Sequence, residues 1–109
     1  MADYSLEDLI AEIREFAAKR DWLEVHNPKN LAMALTVEAG ELMEHFQWLD
    51  LEESLNLDEK IKHEVSLEMA DVLIYLCRMS DRLGIDLLAA ARKKIVLNGE
   101  KYPLPAGKK

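Results

Sequence analysis

Leu67-Glu68-Met69-Ala70-Asp71-Val72-Leu73-Ile74-Tyr75-Leu76-Cys77 is apolar on every side apart from two acids and a tyrosine hydroxyl. Its acids are spaced i, i+3, so a helix places both carboxylates on one face. A second pair, Glu38 and Glu41, repeats the spacing about thirty residues earlier, inside another run of helical periodicity. Carboxylates are rarely buried unless they are paired or bind a cation. One ExxE by itself is weak evidence, since acid pairs at this spacing commonly face water. Two pairs set in apolar helical faces reverse that balance. Four carboxylates converging from two helices require a positive partner, and an all-oxygen cage suits Mg²⁺ or Mn²⁺. The expectation is a metal site inside an all-α bundle.

Working outward, punctuation and periodicity define four helices and no strand. The first runs from Leu6 to Arg20, capped by Ser5 with Asp8 three residues on, and carries Leu9, Ile10, Ile13, Phe16 and Ala17 as its apolar stripe. A turn-like stretch, Asp21 to Asn27, leads to Pro28 at a helix start capped by Asn27. The second helix is expected to reach Leu49, with Leu31, Leu35, Leu42, Phe46 and Leu49 on one arc and Glu38 and Glu41 at its edge. Asp50 to Leu57 reads as an acidic connection. Asp58 caps a long third helix that stops at Gly84, and Asp86 caps a fourth that ends at Asn98-Gly99. From Glu100 onward Pro103, Pro105 and Gly107 indicate an extended tail, mobile at its end. The whole, residues 1–109, reads as one domain.

Composition narrows the functions. A net charge of −7 argues against a protein that tracks a nucleic-acid polymer with Lys and Arg. It leaves a nucleotide substrate open, because bound metal reverses the local field. Cys77, the sole cysteine, excludes an internal disulfide and reads as core filler. The acidic N-terminus lacks a signal-peptide plan, and no run approaches the ~20 apolar residues of a membrane span, so a cytoplasmic location is expected.

Other chemistry-bearing residues are fewer. His26, His45 and His63 form neither a zinc-protease motif nor the Glu-x-x-His of di-iron bundles. His45 and His63 read as surface residues, whereas His26 sits in a loop among aromatic and amide groups. Trp22 and Trp48, both at helix ends, serve either as anchors covering the bundle or as platforms for a flat base. Met33, Met43, Met69 and Met79 read as core or interface filler. Lys94, Asn98 and Tyr102 share a spacing of four; a cation and an amide there either hold phosphate oxygens or a sugar hydroxyl or, as spacing alone favours, supply C-terminal charge that complements the helix dipole.

Taken in order, these segments resemble a known family. Glu38-Ala39-Gly40-Glu41-Leu42 followed by Glu68-Met69-Ala70-Asp71-Val72-Leu73 is similar to the split metal motif of the MazG-like nucleoside triphosphate pyrophosphohydrolases, which are all-α. Arg20-Asp21-Trp22, His26-Asn27-Pro28-Lys29-Asn30-Leu31, Phe46-Gln47-Trp48 and the closing Lys94, Asn98, Tyr102-Pro103 resemble the dCTP pyrophosphatase branch. The likeness spans Phe16 to Pro103. It implies a four-helix MazG-like bundle that cleaves a (deoxy)nucleoside triphosphate, dCTP or a modified dCTP, between the α- and β-phosphates. It implies that Glu38, Glu41, Glu68 and Asp71 hold Mg²⁺, with Glu41 also positioning the attacking water. It assigns Trp22, His26, Asn30, Trp48 and Tyr75 to the base and sugar, and Lys94, Asn98 and Tyr102 to the phosphates. Family members form dimers or tetramers that share the pocket, and the broad apolar faces of the second and third helices call for such a partner. The competing expectation is a non-enzymatic helical interaction module whose acids hold a structural cation or a partner's basic groups.

Overall fold

The computed structural model describes residues 3–107, and every regular element among them is helical. Five helices follow one another: α1 (Leu6–Lys19), α2 (Pro28–Glu44), α3 (Leu51–Leu55), α4 (Glu59–Leu83) and α5 (Leu87–Lys101). Local chemistry sets most of their ends. Ser5 and Asp8 form a reciprocal capping box on α1, each side chain bonding the other's backbone N–H. Asn27, Asp58 and Asp86 cap α2, α4 and α5 through their side-chain oxygens, and Pro28 opens α2. Gly84 ends α4 at φ 67°, with Gly84 N–H donating to Asp81 O and Ile85 N–H to Ser80 O.

Three boundaries differ from the sequence expectation. Helix α2 stops at Glu44 rather than Leu49, its chain passing into tight turns in which Phe46 N–H bonds Met43 O and Leu49 N–H bonds Phe46 O. The reason lies just downstream. Asp50 takes an extended conformation to form a capping box with Glu53, and this starts α3 inside the stretch expected to be a plain connection. The count is therefore five helices, not four. At the far end α5 runs through Asn98-Gly99 to Lys101, so the irregular tail begins at Tyr102 rather than Glu100. The mobility expected of the last residues lies partly outside the described ones.

Helix α4 is the spine. It packs along α2 and also against α1, and the two helices α2 and α4 run antiparallel, with Glu38 meeting Glu68 near mid-length and His26 meeting Arg78 near one end. Ala17, Leu31, Val65 and Cys77 are the buried apolar residues, one contributed by α1, one by α2 and two by α4. Helix α5 buries nothing. Met33, Met43 and Met69 are exposed, which overturns a core role for them within one chain. The radius of gyration, 17.3 Å, exceeds the roughly 13 Å of a compact 100-residue domain. The accessible surface, 8974 Å², likewise exceeds the roughly 6,200 Å² that a compact monomer of this mass exposes.

Candidate metal centre

The antiparallel pairing of α2 and α4 brings the two acid motifs face to face. Glu38, Glu41 and Glu68 each offer an oxygen within 4.8 Å of the others. Glu38 and Glu68 are half-buried and Glu41 is exposed, so the group forms a cup with one open side. One oxygen of Glu38 and one of Glu68 are sealed from solvent without a hydrogen-bond partner among the described residues. Asp71, also half-buried, stands outside the tight trio, yet its charge acts on Glu38. Burial first, then the adjacent carboxyls of Glu68, Glu41 and Asp71, push the Glu38 carboxyl from its ordinary 4.5 up to about 7. Sealed carboxylate oxygens beside further carboxylates match a hard-cation donor set, and among the described residues no Lys, Arg or His forms an ion pair with Glu38, Glu41, Glu68 or Asp71.

Toward the C-terminal end of α4, where α1 and the loop before α2 meet it, lies a different cluster. Arg78 is 2% exposed, a residue that the sequence reading passed over. Its Nη1 donates to Asp81 Oδ2 at 2.9 Å, and its Nε donates to His26 Nδ1 at 3.3 Å. Arg14 of α1 grips the same carboxylate with both prongs, Nε to Oδ2 at 2.9 Å and Nη2 to Oδ1 at 2.6 Å. Arg14 first, then Arg78, hold the Asp81 carboxyl below the usual carboxylate range. The sequence did carry a signal here: a cation inside Leu76-Cys77-Arg78-Met79 with an acid three residues on.

A local device sets Trp22 beside this cluster. Asp21 adopts φ 54°, and the chain leaves α1 with Asp21 N–H bonding Ala18 O and Trp22 N–H bonding Ala17 O. The turn aims the Trp22 ring at Phe16 (5.7 Å between centroids) and at His26 (5.2 Å), while His26 N–H donates to Trp22 O. Asn30 helps close the loop, its Nδ2 donating to Val25 O at 3.1 Å. Trp22 retains 38% exposure.

The remaining residues are scattered within one chain. Trp48 is 87% exposed. It leaves α2 at the end opposite Trp22, and the 17 residues of that helix span about 25 Å. Tyr75 is half-buried on α4, one turn beyond Asp71. Lys94 and Asn98 lie on exposed α5, and Tyr102 follows it, its N–H bonded to Asn98 O. A groove of about 650 Å³ between α1 and the α4–α5 junction, lined by Leu6, Ile10, Arg14, Asp81 and Leu88, includes none of the four acids.

The fold is all-α, with an ExxE and an ExxD motif on facing helices. The chain belongs to the MazG-like family, whose sequence model matches residues 33–109. It is 41% identical over 102 residues to dCTP pyrophosphatase 1 of Rattus norvegicus, covering 92% of this chain and 60% of that protein. The human dCTP pyrophosphatase 1 is 41% identical over 101 residues. The chain thus spans about 60% of the length of these curated relatives. A pyrophosphatase of known crystal structure from Archaeoglobus fulgidus is 40% identical, superposes with a TM-score of 0.87 and is matched over 97% of its length and 95% of this chain.

Proposed function

We propose that this chain hydrolyses a nucleoside triphosphate between the α- and β-phosphates, releasing the monophosphate and pyrophosphate, with dCTP or a modified dCTP as the favoured substrate. The observation that carries the reading is the trio Glu38, Glu41 and Glu68 with its sealed, unpartnered oxygens. Likeness to proteins named as pyrophosphatases supports the reaction, and the name dCTP pyrophosphatase 1 supports the base.

Glu38, Glu41, Glu68 and Asp71 would hold Mg²⁺ or Mn²⁺. When bound there, such an ion supplies positive charge to the phosphate oxygens. Glu38 and Glu68, anchored on facing helices, fix the direction from which a phosphate chain approaches. Glu41, open to solvent, orients the attacking water and can accept its proton at a carboxylate oxygen. His26 and Trp22 receive the nucleoside; Arg78 lies seven residues beyond Asp71 on α4, about 10 Å along the helix.

Trp48, Lys94, Asn98 and Tyr102 complete this pocket only if another chain brings them near the acids. The excess surface, the naked α5 and the exposed Met33, Met43 and Met69 support a homodimer or homotetramer that shares its sites. The activity test is a screen of nucleotides with Mg²⁺ that separates pyrophosphate from orthophosphate. Pyrophosphate release is expected; silence with every nucleotide favours a cation-binding interaction module instead. Mixing inactive Glu38→Gln chains with inactive Lys94→Ala chains should restore activity if the site is shared.

A further inference from the structure

The buried arginine on α4 has no role in the reading above, and its hydrogen-bond pattern assigns it one. Arg78 Nε–H points at His26 Nδ1. An arginine has no acceptor to offer, so that contact requires Nδ1 to present its lone pair. A neutral imidazole carries one proton, and the partner of one nitrogen decides the state of the other. With Nδ1 accepting, the proton resides on Nε2, which makes no hydrogen bond to the protein among the described residues and is not sealed from solvent. We infer that Arg78 is a positioning residue that locks His26 in the Nε2–H tautomer, leaving one fixed donor beside Trp22 for a carbonyl or ring-nitrogen acceptor on the nucleoside of the substrate.

Three further observations fit that assignment. Asp81 is shared by Arg14 and Arg78, so the guanidinium is held from α1 as well as from its own helix and cannot swing away from the ring. The trio of Arg14, Asp81 and Arg78 carries a net positive charge. Burial first, and the Arg78 charge second, push the His26 pKa down, which favours the neutral ring that the tautomer requires. Arg78 Nη2 is buried without an acceptor, so the cluster keeps a second donor that no protein group satisfies. A cluster built purely to join α1 to α4 would need neither the loop histidine nor the spare donor.

The inference rests on the proposed nucleotide substrate for the role of the donor, but the tautomer can be measured without any substrate. Long-range ¹H–¹⁵N spectra of the imidazoles in the whole metal-free protein at neutral pH should show one histidine with an unprotonated Nδ1 and a protonated Nε2. That signal should be missing from His26→Gln. In Arg78→Met the ring should populate both tautomers. A wild-type proton on Nδ1, or a pattern unchanged by Arg78→Met, overturns the assignment. With substrate, Arg78→Met should raise KM for the nucleotide about twofold, as the share of rings carrying the proton on Nε2 falls to about half, with kcat unchanged. A fall in kcat at constant KM overturns the donor role. Should Arg78→Met fail to fold, the wild-type spectrum and two substitutions of His26 decide. A glutamine amide reaches the Nε2 position and an asparagine amide the Nδ1 position, so His26→Asn should raise KM about tenfold more than His26→Gln. The reverse order overturns the proposal. If the wild-type protein hydrolyses no nucleotide while the spectrum shows the expected tautomer, it is the proposed function and the donor's ligand that fall, not the action of Arg78 on His26.

Discussion

Helix α4 carries buried charge at two places along its length, against α2 at one and against α1 and the loop before α2 at the other, and the two are opposite in kind. Near mid-length three carboxylates crowd together with two sealed oxygens unpartnered. Toward the end of α4 one carboxylate is clasped by two arginines, and the burial of Arg78 is matched by Asp81 and His26. The first cluster holds like charges with no counter-charge among the described residues; in the second the charges are paired, with only Arg78 Nη2 left without an acceptor. The difference is one of charge: a carboxylate clasped by guanidinium groups braces the helices that carry them, whereas carboxylates matched by no cation are the group whose charge a bound cation would offset.

The comparison breaks most visibly at the acids. Glu38→Gln or Asp71→Asn should lower pyrophosphate release by at least about a thousandfold, the scale of losing charge stabilisation on the phosphates, while circular dichroism remains helical. Near-normal turnover of both variants with Mg²⁺ would refute the metal cage. Added Mg²⁺ should raise the Tm of the wild-type protein and leave that of Glu38→Gln nearly still.

At the brace, Asp81→Asn should act on stability instead. It strands a buried guanidinium and costs about 3–5 kcal/mol in urea unfolding at fixed protein concentration. A loss below about 1 kcal/mol would mean that solvent reaches Arg78 and that the two clusters differ less than their geometry indicates.

Titration separates them as well. Glu38 has a raised pKa in the folded state, about 7 against an ordinary 4.5, so the folded protein holds that proton more tightly. Its contribution therefore turns unfavourable as pH rises from 4.5 through 7. Asp81 has a lowered pKa, so its contribution is present above the ordinary 3.8 and lost as pH falls through its folded value. The Tm difference between metal-free Glu38→Gln and wild type should accordingly widen from about pH 5 to pH 7.5 and then level, following the linkage. A difference independent of pH would place the Glu38 carboxyl in contact with bulk water.

The smallest effect concerns the loop beside the Arg78 cluster. Asp21 occupies the left-handed region at φ 54°, where a side chain is penalised and glycine is not. Asp21→Gly should raise stability by up to about 1 kcal/mol. A clear loss would show that the Asp21 carboxylate does more than tolerate the turn that launches Trp22.

The sequence by itself determined what depends on neighbours within a turn or two of helix. Each cap was legible because Ser5, Asn27, Asp58 and Asp86 satisfy backbone N–H groups three residues away. The stop at Gly84 was legible because it needs only one left-handed residue. The pairs Glu38/Glu41 and Glu68/Asp71 stood out because an i, i+3 spacing places both acids on one face without knowledge of any partner. The box at Asp50 and Glu53 was equally local; it was masked by reading an acidic stretch as a connection, although Asp-x-x-Glu before a helical turn is itself a start signal. Tertiary structure alone decided the rest. Whether Glu38 meets Glu68 depends on the antiparallel offset of α2 against α4, which is set by packing over their whole lengths. The pairing of Arg14 with Asp81 spans 67 residues, and that of Arg78 with His26 spans 52. No pattern of spacing records such contacts, because they form only once the helices have docked and water has been excluded from between them.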